Sequence, residues 1–142
     1  MKKCYFDYYE DSKVTNVNLP VRATINSAGY DIFAPYQFTI GDHENLLIPT
    51  GVKAIMPDGY FGLIKSRSSL FKRGLVADGV IDSDYPGEIY ISLRNLNSQH
   101  VTFEKGDRIA QLIILKYEKT DDDKEDERYS GSRSGGFGST GS

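Results

Sequence analysis

The chain has 142 residues, a formal net charge of −3 and one cysteine, Cys4. This length suits a single domain that buries roughly two thirds of the surface that the unfolded chain exposes, so disulfide bonds are not needed for stability. The small negative charge argues against broad electrostatic binding to nucleic acid, and no apolar run approaches the ~20 residues of a membrane span. We therefore expect a soluble protein in a reducing, cytoplasmic or other intracellular compartment (nuclear and host-cell settings stay open), without nucleic-acid or membrane partners.

Short runs of β-branched and aromatic residues, separated by Gly, Pro and Asp, predict an all-β fold. The predicted strands cover residues 21–25, 30–40, 45–56, 60–66, 88–96, 99–103 and 108–117. In the fifth of these, Ile89, Ile91 and Leu93 alternate with polar residues, as in a strand with one buried face. Many short strands favour a barrel or sandwich over β–α–β units. One helical turn is predicted at about 68–73, and the tyrosine-rich start, residues 5–11, is interpreted as a first strand or an edge cover.

Isolated polar residues interrupt two of these strands. The segment SAGYDIFAP, residues 27–35, places Asp31 among apolar neighbours. A carboxylate there needs a partner. The three alternatives are an arginine, backbone donors and the water shell of a metal ion. In EKGDRIAQLIIL, residues 104–115, Arg108 and Gln111 interrupt an apolar run, and they face either solvent or a ligand.

The segment IKSRSSLFKRGL, residues 64–75, sets Arg67, Ser68 and Ser69 just before the predicted helical turn. Serine is an ordinary N-cap residue, so capping alone would explain at least one of the two serines. Capping does not require Arg67, whose planar guanidinium suits bidentate contact with a phosphate or a carboxylate. The alternatives are a capped helix and an anion-binding segment.

The segment GVIDSDYPGEI, residues 79–89, holds Asp82, Asp84 and Tyr85 in a glycine-flanked turn before the clearest strand. Turns favour aspartate for local reasons, and a tyrosine there can simply pack on the surface. The functional alternative is that a carboxylate orients a water molecule while the ring lies flat against a sugar.

The composition changes after Tyr117, first to dense charge and then to glycine and serine. Neither part can bury enough apolar area to offset its ordering entropy. We therefore predict a β domain at 1–117, followed at 118–142 by an acidic linker and a glycine-rich arm that is mobile until a ligand binds. The arm is either an inert end or a segment that brings Arg133 and Phe137 to phosphates and a base.

Taken together, the chain resembles the trimeric dUTPase family over residues 21–142, because five motifs occur in the family's order. They are AGYDIFAP at 28–35, SRSSL at 66–70, GVIDSDYPGEI at 79–89, KGDRIAQLI at 105–113 and SGGFGSTG at 134–141. The resemblance implies a jelly-roll-like β subunit and a homotrimer whose three active sites each draw motifs from all three chains. It also implies Mg²⁺-dependent hydrolysis of dUTP to dUMP and pyrophosphate, which keeps uracil out of DNA and supplies dUMP for dTMP synthesis.

The resemblance also implies a role for each matching residue. Asp82 corresponds to the carboxylate that activates the attacking water, and Tyr85 to the ring that excludes a 2′-hydroxyl. Asp31 corresponds to the aspartate that acts near Mg²⁺ through metal-bound water. Main-chain groups of Gly79, Val80 and Ile81, with Tyr90 nearby, would bind the uracil edge. The phosphates would be bound by Arg67, Ser68, Ser69 and Gln111. The arm would close over the nucleotide with Arg133, Phe137, Gly138, Ser139 and Thr140.

The sequence departs from the family's pattern at two places. The family's arm arginine lies five residues before the phenylalanine, whereas Ser132 stands there in this chain. Arg133, four residues before Phe137, is favoured as the γ-phosphate ligand over Arg128, which lies nine before it. Where many relatives carry a strand that crosses to a neighbouring subunit, residues 118–127 include seven acidic residues, which disfavours a packed strand.

Two rival functions remain. A dCTP deaminase shares the fold and uses a glutamate on the strand after the hairpin, but the aligned position is Ser92. A non-catalytic nucleotide sensor would keep the pocket without the chemistry, and it would have no need for a water-activating Asp82.

Overall fold

The computed structural model describes residues 3–126 and residue 128. Within those residues the chain forms ten strands and one short helix. In chain order they are β1 (Tyr5–Tyr8), β2 (Gly29–Phe33), β3 (Phe38–Ile40), β4 (Asn45–Pro49), β5 (Val52–Ile55), β6 (Tyr60–Lys65), α1 (Ser68–Phe71), β7 (Leu75–Asp82), β8 (Tyr90–Asn95), β9 (Val101–Phe103) and β10 (Arg108–Lys116). None of the described helical residues belongs to a helix long and apolar enough to cross a membrane.

The strands form one large sheet and two small ones. The large sheet has the order β2–β10–β6–β7–β8–β4, and the pairs β1–β5 and β3–β9 form separate two-stranded sheets. All of these pairs are antiparallel. The predicted all-β class with one short helix is confirmed. The core is aliphatic, and its largest fully buried apolar side chains are Ile32, Ile40, Val52, Ile64, Leu75, Ile89, Ile91, Leu93, Ile109 and Leu112.

The alternating pattern around β8 is confirmed, because Ile91 and Leu93 are buried while Ser92 and Arg94, each the next residue along the strand, are exposed. The strand predicted at 21–25 is wrong. Val21 makes an isolated bridge to Asp31, and the rest of that segment pairs with no strand. Ile25 is 78 % exposed, so a run of β-branched residues without a neighbouring strand gains neither ladder hydrogen bonds nor burial.

Two predicted strands are each divided in the structure. The run 30–40 becomes β2 and β3, which pair with different strands, and Pro35 in the break lacks a backbone donor for a ladder. The run 45–56 becomes β4 and β5, separated by a turn in which Gly51 has a φ of +77°. A Cβ at Gly51 would meet Val17 Cγ2 at 2.9 Å, so both conformation and space favour glycine there.

Strand β7 was not predicted as a strand, because Asp78, Gly79 and Asp82 are turn-favouring residues. It forms because β6 pairs along its second half and β8 along its first half. Beyond β10, residues 117–126 are exposed and belong to no strand. The division of the chain at residue 117 stays a prediction, since the arm itself lies outside the described residues.

Candidate active site

Three neighbouring strands bring distant polar residues together at one edge of the large sheet. Gln111 on β10 lies opposite Asp31 on β2 and opposite Lys65 on β6. The chain then leaves β6 toward α1. We call Asp31, Arg67, Ser68, Ser69, Arg108 and Gln111 the cationic cluster.

Asp31 is the centre of the cationic cluster and is only 6 % exposed. Arg67 Nε lies 3.2 Å from Asp31 Oδ1 and donates a hydrogen bond to it. Arg108 Nε lies 2.9 Å from Asp31 Oδ2, but the pair lacks hydrogen-bond geometry, and Oδ2 is buried without a hydrogen bond to any described residue. Of the three partners that the sequence left open for Asp31, arginine is therefore the one found.

The serines do not cap the helix. The N-cap of α1 is Arg67, which has extended backbone angles and makes no capping hydrogen bond with its side chain. Ser68 and Ser69 are exposed, and Arg67 Nη1 lies 3.5 Å from Ser69 Oγ. Gln111 Nε2 donates to the carbonyl of Ser66 at 2.9 Å, which orients this half-buried amide toward the start of α1. The capping explanation is therefore wrong.

A cavity of about 360 Å³ adjoins the cationic cluster. Its lining includes three arginines, Arg67, Arg73 and Arg108, with Ser69 and Asp107. The carbonyl of Arg73 accepts a 2.6 Å hydrogen bond from Asn97 Nδ2, which fixes this residue at the end of α1. Neither Arg73 nor Arg108 was predicted as a site residue, and Arg108 was predicted only to interrupt an apolar strand and to face solvent or a ligand. The signal for Arg108 was a cation at the start of that strand, whereas nothing local distinguished Arg73.

The second group of predicted residues lies on the hairpin formed by β7 and β8. The two strands pair from Leu75 opposite Asn95 to Asp78 opposite Ser92, where their pairing ends. Gly79 to Asp82 continue in β7, but their partners are Ile64 to Phe61 of β6 on the other side. The hairpin thus opens between Gly79 and Tyr90, which leaves a slot beside the main chain of residues 79–81.

Asp82, Tyr85 and Tyr90 lie around the open end of the hairpin, because Asp82 ends β7, Tyr90 begins β8 and Tyr85 is on the connection between them. Asp82 is exposed at the end of β7, and its carbonyl accepts a hydrogen bond from Tyr85 N at 3.1 Å. Tyr85 is 9 % exposed, and its hydroxyl donates to the carbonyl of Glu88 at 2.6 Å. Tyr90 is half-buried, and its pKa is raised by burial first and then by the nearby charge of Glu88. We call residues 79–82 with Tyr85 and Tyr90 the hairpin slot.

Asp82, at the far end of the hairpin slot, and the cationic cluster lie toward opposite ends of β6. Asp82 is opposite Phe61, and Arg67 follows the other end of that strand with an extended backbone. Arg67 lies six residue steps beyond Phe61 along an extended backbone, a distance of about 20 Å. Within one chain the strand register therefore separates Asp82 from Arg67, whereas Gly79 of the hairpin slot lies opposite Ile64, nearer to the cationic cluster.

The described residues contain no group of three or more His, Cys, Asp and Glu side chains placed to hold a metal ion. A Mg²⁺ ion commonly keeps several waters and binds substrate phosphates, so a single carboxylate such as Asp31 is enough to contact it through water. Asp31 Oδ2 makes no hydrogen bond to a described residue, but Arg108 Nε lies 2.9 Å from it, so a contact of Asp31 with such an ion would be made beside two arginines. The predicted arm residues Arg133, Phe137, Gly138, Ser139 and Thr140 lie outside the described residues.

An all-β fold that gathers arginines, serines and a glutamine at one strand end and opens a hairpin beside an exposed carboxylate is suited to binding a nucleotide. The dUTPase family model matches residues 15–141. The deoxyuridine 5'-triphosphate nucleotidohydrolase of Lactococcus lactis subsp. lactis is 38 % identical, with 99 % of each chain covered. The chain belongs to the dUTPase family.

Solved structures agree with this assignment. The crystal structure of a dUTPase from Streptococcus mutans has a TM-score of 0.72 and 35 % identity, covering 82 % of this chain and 98 % of that one. A mutant dUTPase of Staphylococcus bacteriophage 80alpha, solved with dUpNHpp, has a TM-score of 0.76 and 27 % identity, covering 92 % of this chain and all of that one.

Proposed function

We propose that this chain hydrolyses dUTP to dUMP and pyrophosphate. Family membership supports the activity, and the structural observation that carries it is the opening of the β7–β8 hairpin beside an exposed carboxylate. Main-chain groups of Gly79, Val80 and Ile81 that are not used in pairing with β8 are available to meet the polar edge of one base. The polar edge of uracil carries hydrogen-bond donors and acceptors. It can therefore bind to these main-chain groups in the way that a continued β8 strand would.

Asp82 is the general base of the reaction. It takes a proton from a water molecule whose oxygen attacks the α-phosphorus, and the bond from that phosphorus to the α,β-bridging oxygen breaks. The products are dUMP and pyrophosphate, and the proton on Asp82 then returns to solvent. General-base catalysis of this kind contributes typically about 10²- to 10⁴-fold in rate.

The phosphates bind at the cationic cluster. Arg67 presents a guanidinium that is held in place by Asp31, and Ser68, Ser69 and Gln111 supply neutral donors nearby. Bidentate guanidinium–phosphate contacts and fixed donors stabilise charge that develops in the transition state. Asp31 would contact a phosphate-bound Mg²⁺ through water, and such an ion would supply further charge neutralisation for the triphosphate.

The active site is completed between copies of the chain. A triphosphate cannot reach from Asp82 to Arg67 over the roughly 20 Å that six extended residues span, so these residues act on one substrate only if they come from different subunits. Exposed apolar side chains lie beside both groups, with Phe71 63 % and Val80 60 % exposed. A homotrimer with three shared sites accounts for both observations, and the arm with Arg133 and Phe137 closes over the bound nucleotide.

Pyrophosphate release tests this proposal most directly. We expect release from dUTP with Mg²⁺ and much slower release from dTTP, dCTP and UTP. Ammonia release from dCTP would instead indicate the deaminase alternative, for which Ser92 lacks the required carboxylate. Tight dUTP binding without turnover would indicate a nucleotide sensor and would contradict the proposed role of Asp82.

A further inference from the structure

Glu88 is a carboxylate that the proposed reaction does not use, and it is buried, with 5 % exposure. Its Oε2 accepts two hydrogen bonds, one from Ser12 Oγ at 2.7 Å and one from Gly51 N at 2.7 Å. A buried carboxylate is costly unless donors meet it, so both donors contribute to holding this segment in place. Glu88 thereby joins the N-terminal segment, the β4–β5 turn and the hairpin.

The main chain of the same residue holds Tyr85. The Tyr85 hydroxyl donates to the Glu88 carbonyl at 2.6 Å. The next carbonyl, that of Ile89, accepts hydrogen bonds from Thr50 N and Thr50 Oγ1, the latter at 2.6 Å. The position of the tyrosine ring therefore depends on where the Glu88 backbone lies, and that backbone is anchored by its own side chain.

Ser12 is itself fixed by the turn that contains it. Ser12 N donates to the carbonyl of Tyr9, and Ser12 Oγ accepts from Val14 N at 3.1 Å. Tyr9 N in turn donates to the carbonyl of Gly51 at 2.8 Å. The hydrogen bonds of this turn thus hold the Ser12 hydroxyl in the position from which it donates to Glu88.

We propose that Ser12 and Glu88 are positioning residues that set the sugar specificity of the site by holding Tyr85. This inference rests on the proposed function, because it takes the Tyr85 ring as the surface that faces the deoxyribose. A ring held against the sugar leaves no space for a 2′-hydroxyl, whereas a ring that is free to shift accommodates one. A loosened ring therefore raises kcat/KM for UTP by a larger factor than it lowers kcat/KM for dUTP. The ratio of the two values, which measures discrimination, falls.

The test is the ratio of kcat/KM for dUTP to kcat/KM for UTP. We expect Ser12→Ala to lower this ratio about tenfold, because the charged acceptor loses one donor and the support of Tyr85 loosens. Glu88→Gln, which keeps the side-chain shape but removes the charge, lowers it in the same direction. Ser12→Thr retains the hydroxyl and restores the ratio. The matched control is Thr15→Ala in the same segment, whose exposed hydroxyl makes no hydrogen bond to any described residue.

The ratio separates this role from a purely structural one, since partial unfolding lowers both activities equally and leaves the ratio unchanged. Folded Ser12→Ala and Glu88→Gln proteins with the wild-type ratio would overturn the inference while the proposed function stands. If Ser12→Ala does not fold, Glu88→Gln alone decides by the same criterion. A wild-type protein that does not hydrolyse dUTP would overturn the inference and the proposed function together.

Discussion

Arg67 and Asp31 form an ion pair in which Nε lies 3.2 Å from Oδ1, and the same carboxylate lies 2.9 Å from Arg108 Nε. One nearly buried negative charge therefore separates two guanidiniums that would otherwise repel each other. Removing one partner of such an arrangement is more costly than removing an exposed pair, because the remaining charges lose their compensation.

Asp31→Asn should lower both stability and activity. We expect urea denaturation to show a loss of about 1–2 kcal/mol in the free energy of unfolding. The loss is no larger because solvent screens the partly exposed arginines. The control is Asp78→Asn, whose carboxylate lies 3.7 Å from Lys65 Nζ in an exposed pair. That change should cost less than about 0.5 kcal/mol. Equal effects of the two substitutions would contradict a special role for Asp31.

Asp82→Asn should retain dUTP binding and lose most turnover. Asparagine keeps the shape of the side chain but cannot accept the proton from water, so kcat falls by about 10²- to 10⁴-fold while the Kd for dUTP changes little. Asp84→Asn, in the same turn, is the comparison, and it should stay near wild-type activity. Single-turnover kinetics with equilibrium binding would measure both, and a near-normal kcat for Asp82→Asn would remove this residue from its role.

Mixing two inactive variants tests whether sites are shared between chains. Asp82→Asn and Arg67→Ala should each be inactive, but co-refolding them in equal amounts should restore about a quarter of the sites if the two residues come from different subunits that mix randomly. If both residues served one site from one chain, no mixed oligomer would contain an intact site. Recovery of pyrophosphate release after mixing is the measurement, with each variant refolded alone as the control.

Arg73 is expected to contribute to phosphate binding through the cavity that it lines with Arg67 and Arg108. Arg73→Ala should raise the KM for dUTP and the inhibition constant for pyrophosphate by about three- to tenfold, as expected for an exposed charged contact. Lys72→Ala provides the control, since Lys72 is the adjacent exposed cation and does not line the cavity. Identical inhibition constants for the two variants would assign Arg73 to the general surface charge.

Truncation before Ser130 removes Arg133 and Phe137 together with the glycine-rich segment. We expect a steep fall in kcat/KM for dUTP, because the proposed closure over the nucleotide is lost, with little change in the Tm of the β domain. Phe137→Ala should reproduce part of the kinetic loss in the full-length chain. Unaltered kinetics after truncation would instead support an inert C-terminal end.

Sequence alone was sufficient to predict the all-β class, because alternation such as that of Ile89, Ile91 and Leu93 is a local consequence of strand geometry. It was also sufficient to predict the family, because five motifs occur in order. Local signals failed at residues 21–25 and at β7. In both segments pairing with other strands, rather than intrinsic propensity, determined whether a strand formed.

Only the tertiary structure decided which groups meet. Asp31 had three possible partners in the sequence, and the register of β2, β10 and β6 brought Arg67 and Arg108 to it. The hydrogen bond from Ser12 to Glu88 joins residues 76 positions apart, and no local sequence pattern predicts it. The separation of Asp82 from Arg67 along β6 follows from strand register in the same way. The alternation that marks the all-β class is local in the chain, whereas the site, like strand β7, depends on long-range pairing that places distant residues side by side.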